Sequence, residues 1–136
     1  SLWEKMEEMN GHEMDKIHAL FKSQDERLEA KQRIMELGDL SISDSMGTNL
    51  EINAPGVNKG IGLIQLGRLL GIEREEIMAC GDGNNDLMML KEVGFGVAMA
   101  NGADEVKEVA DYITLSNEED GVAAVIEKFV LNPERG

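Results

Sequence analysis

Apolar and polar positions change rhythm near the middle of the chain. Before residue 53, short segments of different period follow one another. Leu2 to Asn10 has helical composition and stops at Gly11, a natural helix C-cap. Asp15 to Lys22 (DKIHALFK) is a short, mostly apolar run and predicts a strand. Asp25 to Leu37 carries Leu28, Ile34, Met35 and Leu37 at helical spacing, with Gly38 as the stop. Leu40 and Ile42, then Leu50 and Ile52, alternate with polar residues on either side of Met46-Gly47-Thr48. Ser41–Asp44 and Asn49–Asn53 therefore predict a hairpin with one covered face.

Beyond Ala54-Pro55-Gly56 the pattern becomes a regular alternation. Helices are expected at about 58–70, 84–92, 103–110 and 118–130, and strands at 76–80, 95–99 and 111–115. Strands separated by helices imply parallel pairing, because a parallel connection needs a crossover of about a dozen residues. The fold class is α/β, with a boundary at residues 53–58 that divides the chain into residues 1–54 and 55–136. No internal repeat or low-complexity segment interrupts it.

Composition narrows the function classes. The 136 residues are 42% apolar, enough for a core. Lys and Arg number 13 against 27 Asp and Glu, for a net charge of −14. So acidic a surface repels nucleic-acid backbones and anionic membranes, and neither is an expected partner. The single cysteine, Cys80, excludes an internal disulfide framework and a cysteine-based zinc site. No apolar run approaches a membrane span and no signal peptide is expected, so the expected setting is the cytoplasm. The charge is uneven: residues 81–136 hold 12 acids and 4 bases, residues 40–80 hold 5 and 3. A phosphate-handling site in the C-terminal part would need a cation beside it.

The segment richest in chemistry is Ile77-Met78-Ala79-Cys80-Gly81-Asp82-Gly83-Asn84-Asn85-Asp86-Leu87-Met88-Met89-Leu90. An apolar strand runs into small and polar residues and then into a helix. Open α/β sheets bind ligands at the carboxyl ends of strands, beside helix N-termini. Asp82 and Asp86 are four residues apart there, and paired hard oxygens suit Mg2+. The plainer alternative is a glycine turn whose Asp and Asn cap the helix, although one capping residue would be enough. An EF-hand is excluded, since Leu87 and Val93 stand where Gly and Glu would be required.

Lys59 is the second candidate. A lysine in the first helical turn opposes the helix dipole, which makes sense if an anion sits opposite it; a solvated surface lysine is the alternative. The glycines in Gly56-Val57-Asn58-Lys59-Gly60 would let backbone approach a ligand closely. His12 and His18 read as exposed histidines, Cys80 as a small buried hydrophobe and the nine methionines as core filler. Ser116-Asn117-Glu118-Glu119-Asp120 reads as a helix cap. Asn101, at another strand end, faces the same cleft or simply makes the turn.

Taken together, LEINAPGVNKG, LGIEREEIMACGDGNNDLMML, VGFGVAMANGADEVKEVADYIT and SNEEDGVA resemble, in order and spacing, the C-terminal half of a haloacid dehalogenase (HAD) superfamily phosphatase of the Cof-type group. The resemblance covers nearly everything after residue 48. It implies a HAD-like Rossmannoid parallel sheet over residues 55–136, preceded over 1–54 by part of an α+β cap. It also implies that Lys59 neutralises the transferring phosphoryl group, that Asp82 binds Mg2+, and that Asp86 binds the metal directly or holds metal-bound water. Asn85 would contact the phosphate, and the substrate would be a small phosphorylated metabolite. Ala100-Asn101-Gly102 departs from the Gly-Asn-Ala frequent in relatives.

One departure is larger. Such enzymes carry an Asp-x-Asp pair, the first Asp as nucleophile and the second as acid/base, and these 136 residues contain none. The expectation is therefore a C-terminal fragment of a Mg2+-dependent phosphatase that works through an aspartyl-phosphate, inactive by itself. Its strand at 76–80 would have an unpaired edge, open to a homodimer or to a missing N-terminal segment. The alternatives are a non-catalytic phosphate- or metal-binding module, a self-associating module, and a phosphomutase of the same superfamily.

Overall fold

Lys16–Leu20 (β1), Ser41–Ser43 (β2) and Asn49–Asn53 (β3) form an antiparallel sheet in the order β1-β3-β2, with helix Gln24–Met35 (α1) between the first two strands. The structure, a computed structural model, describes residues 16–43 and 47–132, so the helix expected over Leu2–Asn10 and His12 lie outside the described residues. Three rows of the sheet are in register: Lys16, Asn53 and Ser41; then Ile17, Ile52 and Ile42; then His18, Glu51 and Ser43. Successive strand residues point to opposite faces. The isoleucine row therefore shares one face with Leu50. Leu50 is fully buried and Ile42 and Ile52 half-buried, while Ile17 on β1 stays exposed, so the face that the alternation predicts to be covered is covered only in part. The two outer rows put six polar side chains on the other face.

Helix α1 forms where expected but does not pack as expected. Leu28, Met35 and nearby Leu37 are largely exposed, while Arg27 is buried. Leu28, Ile34 and Met35 are too few to make a continuous stripe. The helix is instead set by its ends: the Ser23 hydroxyl accepts the Glu26 N–H at 3.3 Å, Asp25 and Glu26 occupy the first turn and Arg33 the last.

The second half is a parallel sheet of Met78–Gly81 (β4), Phe95–Ala98 (β5) and Tyr112–Ile113 (β6), in that order, as the strand–helix alternation predicts. Around it lie Lys59–Leu70 (α2), Leu87–Glu92 (α3), Asp104–Val109 (α4) and Gly121–Ile126 (α5). Ala79, Leu90, Val93, Ala98 and Val106 form its core, with Leu63, Ile77 and Leu87 packed against them. Gly96 lets β5 pass the α3 backbone, since a Cβ there would lie 2.4 Å from the Leu90 carbonyl oxygen.

Three boundaries differ from expectation. β4 starts at Met78 because Arg74–Glu76 form a 3-10 turn, whose Arg74 Nε donates to the Glu92 carbonyl at 2.6 Å. β6 is reduced to Tyr112–Ile113. The last helix is broken into the 3-10 turn Asn117–Glu119, a left-handed Asp120 (φ 56°), α5, and a π-helical end over Glu127–Leu131. Only glycine fits just after the break, since a Cβ at Gly121 would lie 2.1 Å from the Leu115 carbonyl oxygen. The methionines also depart from the core-filler reading: Met99 is buried and Met78 and Met89 half-buried, but Met35 and Met88 are largely exposed. No described helix is long and apolar enough to cross a membrane.

Candidate active site

Beyond Gly81 the chain turns through Asp82-Gly83 into a 3-10 turn over Asn84–Asp86 and then into α3. The buried Asp86 carboxylate closes this turn, its Oδ2 accepting the N–H groups of Asp82 at 3.1 Å and Gly83 at 3.2 Å. Its Oδ1 accepts Lys59 Nζ at 2.6 Å. Lys59 opens α2, whose N-terminus is capped by Asn58 Oδ1 accepting the Ile61 N–H at 3.0 Å. The cation that opposes its own helix dipole thus has an anion opposite it, supplied by the protein.

Gly60 explains how residues 27 positions apart meet. A Cβ on Gly60 would lie 2.7 Å from the Met88 carbonyl oxygen, so glycine lets α2 settle on α3 and carries Lys59 to Asp86. This differs from the expected role of the flanking glycines. Gly60 makes room for a neighbouring helix, and Gly56, at φ 72°, makes the turn out of the antiparallel sheet.

Asp82 lies at the same strand end with its side chain exposed, while its carbonyl accepts the Ala103 N–H at 2.9 Å. Asn85 is half-buried and, with Lys59 and Asn84, borders a cavity of about 500 Å3. The opposite wall comes from the antiparallel sheet, including Lys16, Ser43 and Glu51. Lys16, Lys31 and Lys59 border the cavity against Glu51 and Glu105, a local excess of cations in a chain of net charge −14. A phosphate site in an acidic protein would need such cations beside it.

Among the described residues, no three His, Cys, Asp or Glu side chains group closely enough to hold a metal by themselves. The donors at the β4 end are nonetheless hard oxygens, the Asp82 carboxylate with the amides of Asn84 and Asn85. Mg2+ typically takes one or two protein carboxylates and fills its octahedron with water and phosphate oxygens, so the donor chemistry fits.

The other candidates resolve into structural contacts. Asn101 Oδ1 accepts the Asn117 N–H at 2.9 Å, tying the loops after β5 and β6, and Asn101 does not border the cavity. Exposed His18 places Nε2 3.0 Å from the Asn49 amide nitrogen. Cys80 is half-buried rather than buried, and that burial pushes its thiol up, away from a reactive thiolate. The Ser116 hydroxyl and N–H both donate to Glu119 Oε2, at 2.6 and 3.3 Å, so this segment caps a turn as expected, with the carboxylate as the acceptor. Sequence reasoning missed the polar face of the antiparallel sheet as a cavity wall. Its signal was the polar half of the alternation in KIH, SIS and EIN, where only the apolar half was read.

The chain matches the haloacid dehalogenase-like hydrolases over residues 3–126. It is 44% identical over 125 residues to the 5-amino-6-(5-phospho-D-ribitylamino)uracil phosphatase YcsE of Bacillus subtilis, covering 92% of this chain and 50% of that protein. A second Bacillus subtilis phosphatase with the same printed activity, YitU, is 48% identical over 80 residues, which cover 59% of this chain and 30% of that one. Among solved structures, a haloacid dehalogenase-like hydrolase from B. subtilis superposes with a TM-score of 0.82 at 31% identity, covering 92% of this chain and 45% of that one. The HAD subclass IIB sugar phosphatase BT4131 gives 0.79 at 31%, covering 90% and 46%. The chain thus spans half or less of the length of these relatives. The chain belongs to the haloacid dehalogenase-like hydrolases, in their Cof-type phosphatase group.

Proposed function

We propose that the whole protein to which these residues belong is a Mg2+-dependent phosphatase that hydrolyses small phosphorylated metabolites through an aspartyl-phosphate. Residues 1–54 would contribute part of the cap and 55–136 the C-terminal part of the core, with the nucleophilic aspartate outside these 136 residues. The observation that carries the reading is the Lys59–Asp86 pair, 2.6 Å long, at a strand end that opens onto a lysine-bordered cavity. One cysteine and no disulfide framework suit a reducing, cytoplasmic setting.

Phosphoryl transfer is helped mainly by positioning and by cations around the transferring group. Lys59 would neutralise the phosphoryl oxygens, held at the cavity by Asp86 so that its ammonium needs little reorganisation. Asn85 would donate its amide to a phosphate oxygen. Asp82 would hold Mg2+, with Asp86 behind it; when bound, the metal supplies further positive charge to the phosphate. Asp86 already receives three hydrogen bonds, which favours its acting through Lys59 and metal-bound water over direct ligation.

The test is phosphate release from a panel of phosphomonoesters with Mg2+, for the whole protein and for residues 1–136 side by side. The whole protein is expected to turn over and the 136 residues are not. Lys59→Ala or Asp82→Ala in the whole protein should lower kcat by at least ~10²–10³, the loss typical of one removed charge-stabilising group. Turnover by residues 1–136 that Asp82→Ala abolishes would place the nucleophile within this sequence and overturn the reading.

A further inference from the structure

Asp82 is held through its backbone. Its N–H donates to Asp86 Oδ2 at 3.1 Å and its carbonyl accepts the Ala103 N–H at 2.9 Å. Among the described residues its carboxylate takes no hydrogen bond or ion pair. Resting on the reading in which Asp82 holds Mg2+, we infer that Asn101 is a positioning residue for that aspartate, because it fixes the loop that holds the Asp82 carbonyl.

The contacts run through one loop, residues 99–103 between β5 and α4. At its start the Met99 N–H donates to the Gly81 carbonyl at 2.9 Å, carrying the β4-β5 pairing past the strand ends, and at its finish Ala103 reaches Asp82. The Gly102 N–H closes the turn onto the Met99 carbonyl at 2.9 Å. Between them Asn101 Oδ1 accepts the Asn117 N–H at 2.9 Å, and the Ala100 N–H donates to the Leu115 carbonyl at 3.3 Å. The loop after β6 is thereby tied to the loop after β5, and the loop after β5 to Asp82. An asparagine that only shapes a turn bonds its own backbone about two residues on. Asn101 reaches 16 positions along the chain.

Mg2+ makes such support count. It demands a near-ideal octahedron with ligand distances of about 2.0–2.1 Å, so a donor carried slightly out of place binds it weakly. The Asp86 hold on Asp82 is built into the site, since Asp86 also takes Lys59 Nζ. The Ala103 hold comes from outside it. Asn101 is exposed and does not border the cavity, so its effect reaches the metal only through the Asp82 backbone. Groups that stand behind a metal ligand typically change metal affinity about 10–100-fold when removed.

The experiment measures Mg2+ binding to the whole protein by calorimetry without substrate, and the Mg2+ dependence of phosphate release. The variants are Asn101→Ala, Asn101→Asp and Ser23→Ala; Ser23 caps α1 in the other half, so its loss destabilises without touching the loop. Asn101→Ala should weaken Mg2+ binding about tenfold, the low end for such a group, and raise the Mg2+ needed for half-maximal rate by the same factor, with kcat recovering at saturating Mg2+. Asn101→Asp keeps an oxygen acceptor for the Asn117 N–H and should bind Mg2+ nearly as the wild type does. Ser23→Ala should leave Mg2+ binding unchanged. If Asn101→Ala does not fold, Asn101→Ser, whose hydroxyl is one bond short of Asn117, is held to the same outcomes. Unchanged Mg2+ affinity in Asn101→Ala overturns the inference, as does an equal loss in Ser23→Ala or an Asn101→Asp as weak as Asn101→Ala. A wild type that binds no Mg2+ but releases phosphate also overturns it, and leaves hydrolysis standing. A protein that hydrolyses no phosphomonoester, yet whose calorimetry follows the expected order, overturns the phosphatase reading and leaves the coupling of Asn101 to Asp82 in place.

Discussion

In the β4-β5-β6 half of the molecule, Leu90, Val97, Val106 and Val125 are 0–1% exposed, whereas among the described residues of the β1-β3-β2 half Leu50 alone is buried to that degree. Leu20, Leu28, Met35 and Leu37 in that first half are 46–79% exposed, and Leu69, Leu70 and Leu131 in the second are 65–85% exposed, so the halves differ in what they bury and not in what they leave exposed. The contrast follows from architecture. Parallel strands need helical crossovers, and those helices cover the sheet. Among the described residues the first sheet has one helix, and its polar face borders a cavity instead of a core. One half therefore supplies the packing and the anchored charges. The other supplies a polar surface held in front of them.

The largest test of this contrast uses the edge of the well-packed half. Among the described residues β4 pairs with β5 alone, leaving the other side of Met78–Gly81 unpaired. An apolar strand with a free edge is a template for another chain. Residues 1–136 should therefore self-associate at micromolar concentration, as measured by light scattering after size exclusion. Mixing in a separate segment that carries the strand which the proposed whole protein would pair with β4 should return the species to a one-to-one complex. A stable monomer whose β4 amides are protected from hydrogen exchange would show that the chain covers this edge itself, and would break the contrast.

The next largest effect separates the two halves by stability. Leu90→Ala empties a site that is 1% exposed and should cost about 2–5 kcal/mol of unfolding free energy. Leu37→Ala, at a side chain 79% exposed, should stay within ~0.5 kcal/mol. Chemical denaturation of the two variants gives both numbers. Equal losses would mean that Leu37 is covered in solution and that the first half has its own core.

Legibility in the sequence differed between the halves for the same reason. In the second half the apolar runs of β4 and β5 are broken at Gly81-Asp82 and Asn101-Gly102, so these strands and their helices fall within two or three residues of their expected places. In the first half, period gave β1, α1, β2 and β3 but not what covers them, because Leu28 and Met35 look like core positions in a helix that is held by its caps. At the site, the dipole argument asked for an anion opposite Lys59, and Asp86 is 2.6 Å away. What no local pattern showed is that Gly60 serves helix packing, since the Met88 carbonyl that demands it is 28 residues further along. Nor did it show that Lys16 and Glu51, 35 positions apart, pair on the cavity wall.

The smallest difference lies in two Ser-x-x-Glu helix starts, one in each half. At α1, Ser23 Oγ accepts the Glu26 N–H and Glu26 Oε2 accepts the Lys22 N–H at 3.2 Å. At Asn117–Glu119 the carboxylate is the shared acceptor, with Glu119 Oε2 taking the Ser116 hydroxyl at 2.6 Å and the Ser116 N–H at 3.3 Å. The hydroxyl bond first, and the backbone bond second, hold the Glu119 carboxyl below its ordinary value of 4.5. A carboxyl whose folded value is lowered binds its proton more weakly in the folded state than in the unfolded chain. Its contribution is therefore complete above about pH 4.5 and is lost as pH falls through the lowered folded value. Melting of the wild type and Glu119→Gln between pH 7 and pH 3 should show a small wild-type advantage at neutral pH that shrinks in acid. Ser116→Ala removes the hydroxyl and should narrow the same interval, because the main cause of the lowering is gone. An advantage that persists undiminished to the acid end would mean that packing, and not ionisation of Glu119, holds this turn.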